Sequence, residues 1–212
     1  MRRDKYLIQI DEYHYKPILS SSFLRKYKWY FNGYWQNENY FKTYSQKILH
    51  DFTPKDNLFS STLEKDAADI QQCNAISIHF RRGDYVSNTK TAQHHGVCSI
   101  EYYMNAVQYV AKRVESPYFY IFSDDIDWVK SNFSLRYGNR VIEGNNQYNS
   151  FTDMYLMSLC KHHIIANSTF SWWGAWLGRN PDKIVITPQR WFADFSRNEE
   201  KKSIVPPDWI RL

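Results

Sequence analysis

From residue 73 onward, short apolar segments alternate with segments that have a helical pattern. The apolar segments predict strands over AISIHF (75–80), YFYIF (118–122), RVIEG (140–144), HIIAN (163–167) and KIVIT (183–187). The segments between them predict helices over 99–114, with Ser99 as N-cap, 125–133, 149–162 and 168–178, the last ended by Gly178. Strands that alternate with helices form βαβ units, so the pattern predicts an α/β fold with a mostly parallel sheet and helices on both faces.

The first part of the chain has a different pattern. Residues 1–35 alternate short aromatic and β-branched runs with polar breaks, which favours strands or extended segments. Aromatic and aliphatic residues at three- and four-residue steps predict one helix over 37–52, closed by Thr53-Pro54. A second helix is predicted over 61–72, with Ser61 or Thr62 as its cap.

Three polar motifs follow directly after predicted strands. They are RRGDY (81–85), SDD (123–125) and NSTFS (167–171). In parallel α/β sheets ligands bind at the carboxyl ends of the strands. We therefore expect a cationic, an acidic and a hydroxyl-rich cluster to meet at one rim of the sheet.

The residue types at this rim suit an anionic ligand. Arg81 and Arg82 carry guanidinium groups that bind phosphate oxygens in pairs, although an ion pair with Asp84 is an alternative for this motif. The NSTFS motif offers hydroxyls and free backbone N–H groups at a predicted helix start, where anions bind well. Its candidate donor-binding residues are Asn167, Ser168, Thr169 and Ser171, although Asn167 or Ser168 could equally be a plain N-cap.

Histidine and aspartate give weaker signals. His79 shares a strand face with Arg81, but a lone histidine in a strand is commonly a core residue. The pairs His94-His95 and His162-His163 have no third ligand at a zinc-like spacing, so no metal site is expected. Asp124 and Asp125 could bind magnesium or a sugar hydroxyl, or could cap the next helix. The sequence lacks the GxGxxG motif of dinucleotide-binding proteins, the GxxxxGK(S/T) motif of P-loop proteins, the GxSxG motif of hydrolases and the HExxH motif of metalloproteases.

Composition narrows the class of protein further. The net charge of +5 is too small and too dispersed to indicate a nucleic-acid binder. The three cysteines are widely spaced, which fits reduced thiols in the cytoplasm, and neither a membrane-spanning run nor a signal peptide is recognisable. Aromatic residues make up 18% of the chain, which suits both core packing and sugar-binding clefts.

Three blocks resemble a known family. ISIHFRRGDYV resembles the HxRRxD signature of the α-1,2-fucosyltransferases of glycosyltransferase family 11. FYIFSDDIDWVKSNF and FTDMYLMSLCKHHIIANSTFSWWGAWL resemble that family's second and third blocks, in the same order. The likeness covers nearly the whole chain, but the glycine-rich GGLGNQMFQYA-like start of the bacterial members has no counterpart here.

The resemblance implies a metal-independent, inverting enzyme of two Rossmann-like halves in a GT-B-like arrangement. Residues 73–212 would form the domain that binds GDP-β-L-fucose, and residues 1–72 would be a truncated remnant of the acceptor-side half. No cofactor is expected. The implied acceptor is a galactose-terminated oligosaccharide, or a lipopolysaccharide or capsule precursor, reached by a cytoplasmic enzyme with peripheral association at the inner face of the membrane.

The resemblance also implies roles for individual residues. His79 would lie beside the nucleotide, Arg82 would hold the β-phosphate and assist its departure, and Arg81 would support that site. Thr169 and Ser171 would contact the diphosphate, and Asp153 would read the guanine edge. We assign the general base to Asp84, which could instead orient an arginine. The alternatives are a catalytically impaired GDP-sugar-binding remnant and a fucosyltransferase with another acceptor linkage.

Overall fold

The computed structural model describes residues 7–11, 28–32, 37–55, 60–143, 150–200 and 202–212. Within them the strands are β1 Leu7–Asp11, β2 Lys28–Asn32, β3 Asn74–Phe80, β4 Pro117–Ser123, β5 Asn139–Val141, β6 His162–Ile164, β7 Val185–Thr187 and β8 Ile210–Arg211. The α-helices are α1 Ser45–Asp51, α2 Ser61–Gln71, α3 Gly83–Ser87, α4 Thr89–His95, α5 Ile100–Ala111, α6 Ile126–Asn132, α7 Ser150–Leu159, α8 Thr169–Trp176 and α9 Phe195–Glu200. Short 3-10 helices cover Glu38–Tyr40, Lys42–Tyr44 and Lys202–Ile204.

Contacts divide the chain into two compact units, Met1–Thr43 and Tyr44–Leu212. In the first, β1 and β2 pair in parallel, with Leu7 opposite Lys28. Extended structure was predicted for residues 1–35, and the rest of that range lies outside the described residues. In the second, α1 and α2 belong to the same unit as the large sheet. The predicted division into an acceptor-side part, residues 1–72, and a donor-binding part, residues 73–212, is a division by function and stays a prediction.

The second unit is built on a six-stranded sheet with the order β5-β4-β3-β6-β7-β8, in which every neighbouring pair is parallel. The chain starts in the middle at β3, runs outward to β5, returns to β6 and runs outward the other way. This is the strand order of Rossmann-type nucleotide-binding folds, and it confirms the predicted α/β class. The order reverses between β3 and β6, so the switch point lies between the ends of these two strands.

Successive side chains of a strand point to opposite faces of the sheet, and each face is covered by its own set of helices. One face of β3 carries Ile76, Ile78 and Phe80, which pack with residues of α5 such as Val107. The other face carries Ala75, which clusters with residues of β4, α2 and α7. Burial on both faces explains why the polar residues of β3, Ser77 and His79, are buried along with its apolar ones.

Some predicted elements differ from the structure. The helix predicted over 37–52 is wrong in its first half, which forms two 3-10 turns before α1 begins at Ser45. The Asn37 side chain accepts a hydrogen bond from the Asn39 N–H, and Phe41 has a φ of −138°, which a helix does not adopt. The cap of α2 is Ser60, whose Oγ accepts from the Leu63 N–H at 3.2 Å, in place of Ser61 or Thr62.

The helices that follow the strands begin and end close to their predicted positions. Ser99 caps α5, its Oγ accepting from the Tyr102 N–H at 3.1 Å, as predicted. The helices α3, α4 and α9 were not predicted. Among the helices that the structure describes, none is long and apolar enough to span a bilayer.

Candidate functional site

The three polar motifs meet at the carboxyl edge of the sheet. Hydroxyl Oη of Tyr85, in α3, donates to the carbonyl oxygen of Asn167 at 3.0 Å and so ties the RRGDY motif to the NSTFS motif. The rings of His79, near the end of β3, and Phe170, in the first turn of α8, lie 5.4 Å apart. Arg82 Nε lies 3.1 Å from Asp125 Oδ2, which brings in the SDD motif. The prediction that these motifs share one rim is confirmed.

The two adjacent arginines have different contacts. Arg81 bridges two carboxylates, with Nη2 2.7 Å from Asp84 Oδ1 and Nη1 2.9 Å from Asp124 Oδ2. Arg82 is held through Nε by Asp125, and its Cζ lies 3.5 Å from the centre of the Trp128 ring. In the part of the chain that the structure describes, the two terminal nitrogens of Arg82 have no hydrogen-bond partner. Arg82 therefore presents an oriented guanidinium fork, whereas both terminal nitrogens of Arg81 are in ion pairs.

The acidic motif holds these arginines in place. Asp124 Oδ1 accepts the Arg82 backbone N–H at 2.8 Å. Asp125 Oδ1 accepts the Trp128 N–H at 3.3 Å and so caps α6, while its Oδ2 binds Arg82. Capping of the next helix was one of the alternatives for this motif, and the structure shows it for Asp125. The ion pairs with the arginines were not predicted, because they join residues about 40 positions apart.

Gly83 allows the close approach of the Asp124 carboxylate. A Cβ at residue 83 would lie 2.7 Å from Asp124 Oδ2, which is too short for any real contact. The glycine therefore lets α3 begin directly against Asp124, where that carboxylate also reaches Arg81.

His79 is a buried, neutral imidazole. Its side chain is 4% exposed, and burial, with a smaller effect of the positive charge of Arg81, lowers its pKa to about 3. Its Nδ1 is buried and has no hydrogen-bond partner among the described residues. Tyr103 Oη donates to the His79 carbonyl at 3.0 Å, which fixes the backbone here. A buried polar atom without a partner close to the switch point indicates that a ligand could supply one.

The hydroxyls predicted at the start of α8 have different surroundings. Ser168 is the N-cap residue and is buried, but its hydroxyl makes no capping bond. Thr169, the first helical residue, is exposed. Ser171 is fully buried, and its Oγ donates to the carbonyl oxygens of Ala166 and Ser168 at 3.2 and 3.1 Å. Thr169 is thus the hydroxyl that an incoming ligand reaches without a rearrangement.

The remaining candidates lie at the same edge. Asn167 is 3% exposed and its side-chain amide binds backbone carbonyls of neighbouring loops. Asp153 lies in the first turn of α7 and is partly buried. Because α7 follows β5, its first turn lies at the carboxyl edge.

A cavity of about 550 Å³ lies elsewhere in the second unit, lined by residues of α1, α2 and α7 and by Lys161, Arg179 and Asn180. None of the predicted site residues lines it. In the described part of the chain, no group of three histidine, cysteine or acidic residues is placed to hold a metal ion.

Comparisons with known proteins agree on one family. The family described as Glycosyl transferase family 11 matches residues 1–212. An alpha-1,2-colitosyltransferase of Escherichia coli is 42% identical over 190 residues, which are 86% of this chain and 62% of the relative. The O-antigen biosynthesis glycosyltransferase WbnK, also of Escherichia coli, is 39% identical over 67% of this chain and 46% of the relative.

A more distant relative is galactoside alpha-(1,2)-fucosyltransferase 1 of Rattus norvegicus, 24% identical over 82% of this chain and 48% of the relative. The chain spans between about half and three-fifths of the length of these relatives. The family match over residues 1–212 and the two bacterial relatives point to the same family as the sequence motifs that meet at the sheet edge. The chain belongs to glycosyltransferase family 11.

Proposed function

We propose that this protein takes part in the transfer of L-fucose from GDP-β-L-fucose to the 2-hydroxyl of a terminal galactoside, with inversion at the anomeric carbon. The observation that carries the proposal is the oriented guanidinium of Arg82 at the sheet edge that also carries the start of α8, where Thr169 is exposed. A diphosphate seated there would meet the guanidinium fork, the Thr169 hydroxyl and the free N–H groups of the helix start. The family and the names of the relatives support a nucleotide-sugar donor and a glycan acceptor.

Arg82 would stabilise the leaving group. As the bond to the sugar breaks, negative charge grows on the β-phosphate, and a donor already aimed at that charge lowers the barrier by about 3–4 kcal/mol. The contacts with Asp125 and Trp128 hold the guanidinium before the donor arrives, so little ordering remains to be done during the reaction. Arg81 would support the site indirectly, since it joins Asp84 to Asp124.

The acceptor hydroxyl needs a base, and His79 is unsuited to that role. With a pKa of about 3, its imidazole has little affinity for a proton near neutral pH. We assign it to the donor, as a neutral partner for a polar group of the nucleotide. Asp84 stays our proposed base, with Oδ1 held by Arg81 and its side chain about half exposed. Its alternative role, as an orienter of Arg81, rests on the same ion pair.

Substitution of Arg82 tests the proposal. In an active preparation, Arg82→Ala should lower the rate of transfer from GDP-fucose to lactose by about a hundredfold or more. Arg82→Lys should also be poor, because a point charge does not reproduce the bidentate fork. GDP release would give the rate, and nuclear magnetic resonance of the product would give the linkage and the anomeric configuration.

Arg113 provides a matched control. Its guanidinium also lies over an aromatic ring, that of Tyr109, at 3.6 Å, but it follows α5 at the opposite edge of the sheet. Arg113→Ala should leave transfer unchanged. Near-normal turnover in Arg82→Lys would overturn the assignment of Arg82.

A colitosyl donor is the second candidate, because the 42% identical relative is named for colitose. Colitose is L-fucose without its 3-hydroxyl, so the two donors present the same diphosphate to Arg82. Competition between the two GDP-sugars for one acceptor measures the ratio of their kcat/KM values, and the larger value identifies the donor. GDP binding without transfer of either sugar would select the catalytically impaired alternative.

We propose a galactose-terminated oligosaccharide, as part of a lipopolysaccharide or capsule precursor, as the natural acceptor. The relative named for O-antigen biosynthesis supports this class. Transfer to lipid-linked and free galactosides of the same terminal structure would show whether peripheral association with a membrane contributes to the reaction.

A further inference from the structure

Asn167 joins separate segments at the carboxyl edge of the sheet. Its Nδ2 donates to the His95 carbonyl at 2.8 Å and to the Trp191 carbonyl at 3.1 Å, and lies 3.3 Å from the Gly96 carbonyl. Its Oδ1 accepts from Cys98 Sγ at 3.4 Å. These partners belong to the end of α4, the loop before α5 and the loop after β7.

The backbone of Asn167 adds a fourth connection. Its carbonyl oxygen accepts from Tyr85 Oη, which belongs to α3. The Tyr85 ring stacks on the His95 ring, with the centres 4.8 Å apart and the planes 8° from parallel. The segments after β3 and β7 therefore meet at one residue, which directly precedes the N-cap Ser168 of α8.

These contacts give both polar side-chain atoms of Asn167 a partner within the protein. The amide group has two N–H donors, which are shared among three carbonyls, and its oxygen accepts from a thiol. The segment that it holds, residues 83–98, follows Arg82 without a break. Its position therefore affects where Arg82 lies relative to Thr169.

We propose that Asn167 is a positioning residue, which holds residues 83–98 and the loop after β7 against the start of α8 and does not contact the donor. The inference rests on the proposed function, since it concerns the placing of Arg82 beside the donor diphosphate. It replaces the direct donor contact that the sequence predicts for Asn167.

The loop after β7 has contacts of its own, so loss of Asn167 should loosen this edge without unfolding the domain. Asn198 Oδ1 accepts from the Trp191 and Phe192 N–H groups at 2.7 and 2.9 Å. The Ala193 N–H donates to the His94 carbonyl at 3.0 Å. The expected effect is local opening, which exposes groups that are now covered.

Cys98 reports this opening directly. Its thiol points at Asn167, and burial raises the pKa of the thiol to about 11, so labelling by a thiol reagent at neutral pH should be slow. In Asn167→Ala, labelling of Cys98 should be faster by about tenfold or more, whereas Cys160, which is 1% exposed in the core, should stay protected. Mass spectrometry of the digested protein gives both rates in one experiment.

Asn180→Ala is the matched control. Asn180 also donates its amide to a backbone carbonyl, that of Lys161 at 3.0 Å, but it lies at the opposite edge of the sheet. Its loss should leave Cys98 labelling unchanged. In Asn167→Ala the kcat for transfer should fall by about tenfold, with a change in the Kd for GDP of less than about threefold, because Arg82 is misplaced while Asn167 itself makes no contact with the donor.

Tyr85→Phe tests the same connection by a milder change, which removes one hydroxyl and keeps Asn167. It should speed Cys98 labelling severalfold, and it serves where Asn167→Ala fails to fold. Unchanged Cys98 labelling in both variants, or loss of GDP binding in Asn167→Ala with Cys98 still protected, would overturn the inference. The labelling result does not depend on which sugar is transferred, so failure of the proposed function alone would leave it standing.

Discussion

At the scale of single residues, the site shows how identical side chains acquire different uses. Arg81 and Arg82 are adjacent, yet one bridges two carboxylates and the other keeps two nitrogens available. Side chains from the next strand connection decide this difference, chiefly Asp125 and Trp128. A carboxylate on Nε and a ring under the guanidinium plane fix both the direction and the tilt of Arg82.

The ring of Trp128 should therefore matter for catalysis. Trp128→Leu keeps an apolar side chain but removes the π face, which contributes about 0.5–2 kcal/mol to holding a guanidinium. We expect transfer to slow by up to about tenfold, with a smaller change in stability. Tyr109→Leu, which removes the ring beneath Arg113 at the opposite edge, is the control. Equal rates for the two variants in the GDP-release assay would show that the ring under Arg82 is not needed.

At the scale of elements, the strands and most helices could be predicted because local pattern decides them. Strands buried on both faces are rich in apolar residues, and β3, β4, β6 and β7 all overlap the predicted segments. The helices α3 and α4 were missed because GDYVSNTKTAQHH has no apolar periodicity. Their position depends on tertiary contacts such as the Tyr85 hydroxyl on the Asn167 carbonyl.

The candidate site could likewise be predicted only in part. Its location followed from polar motifs after apolar strands, which is a property of sequence order. The contacts of individual side chains could not be predicted, because Ser171 bonds to carbonyls just before its own helix and Asn167 binds segments up to 72 positions away. A sequence gives residue types at a rim but does not give the direction in which each side chain points.

The start of α3 offers a test at this scale. In Gly83→Ala the added Cβ would meet Asp124 at 2.7 Å and push that carboxylate away from Arg81 and from the Arg82 N–H. Alanine is the better helix former, so we expect stability within about 1 kcal/mol of the original and a loss of transfer of about tenfold or more.

Gly178→Ala is the reciprocal control. Its Cβ would lie 2.6 Å from Nε2 of the buried His163, far from Arg82 in the fold, so it should lower stability and leave the turnover of the folded protein intact. Thermal unfolding and the GDP-release assay, run on both variants, distinguish the two effects. A Gly83→Ala protein with full activity would show that Asp124 can move without disturbing the arginines.

At the scale of the whole molecule, the sheet has two histidines in its interior that the fold keeps neutral. His79 and His163 lie on neighbouring strands and are 4% and 0% exposed. Burial lowers the pKa of each, that of His79 to about 3 and that of His163 well below its usual range, with smaller contributions from Arg81 and Lys183. Neither can take up a proton in the folded protein without a large cost.

This predicts how stability depends on pH. Because the folded-state pKa values lie below the ordinary 6.5, the unfolded chain binds protons that the folded protein does not, so stability is present above that value and falls as the pH drops below it. Between pH 7.5 and 5.5 the two histidines should lower the free energy of unfolding by about 3 kcal/mol, and His95 and His162, whose pKa values are also lowered, should add smaller amounts. Urea unfolding at the two pH values measures this loss. In His79→Gln the loss should shrink by about 1 kcal/mol whatever the variant's stability at pH 7.5, since the unfolded variant binds one proton fewer at the lower pH. An unfolding free energy that does not change between these pH values would mean that the interior histidines are protonated in the folded protein.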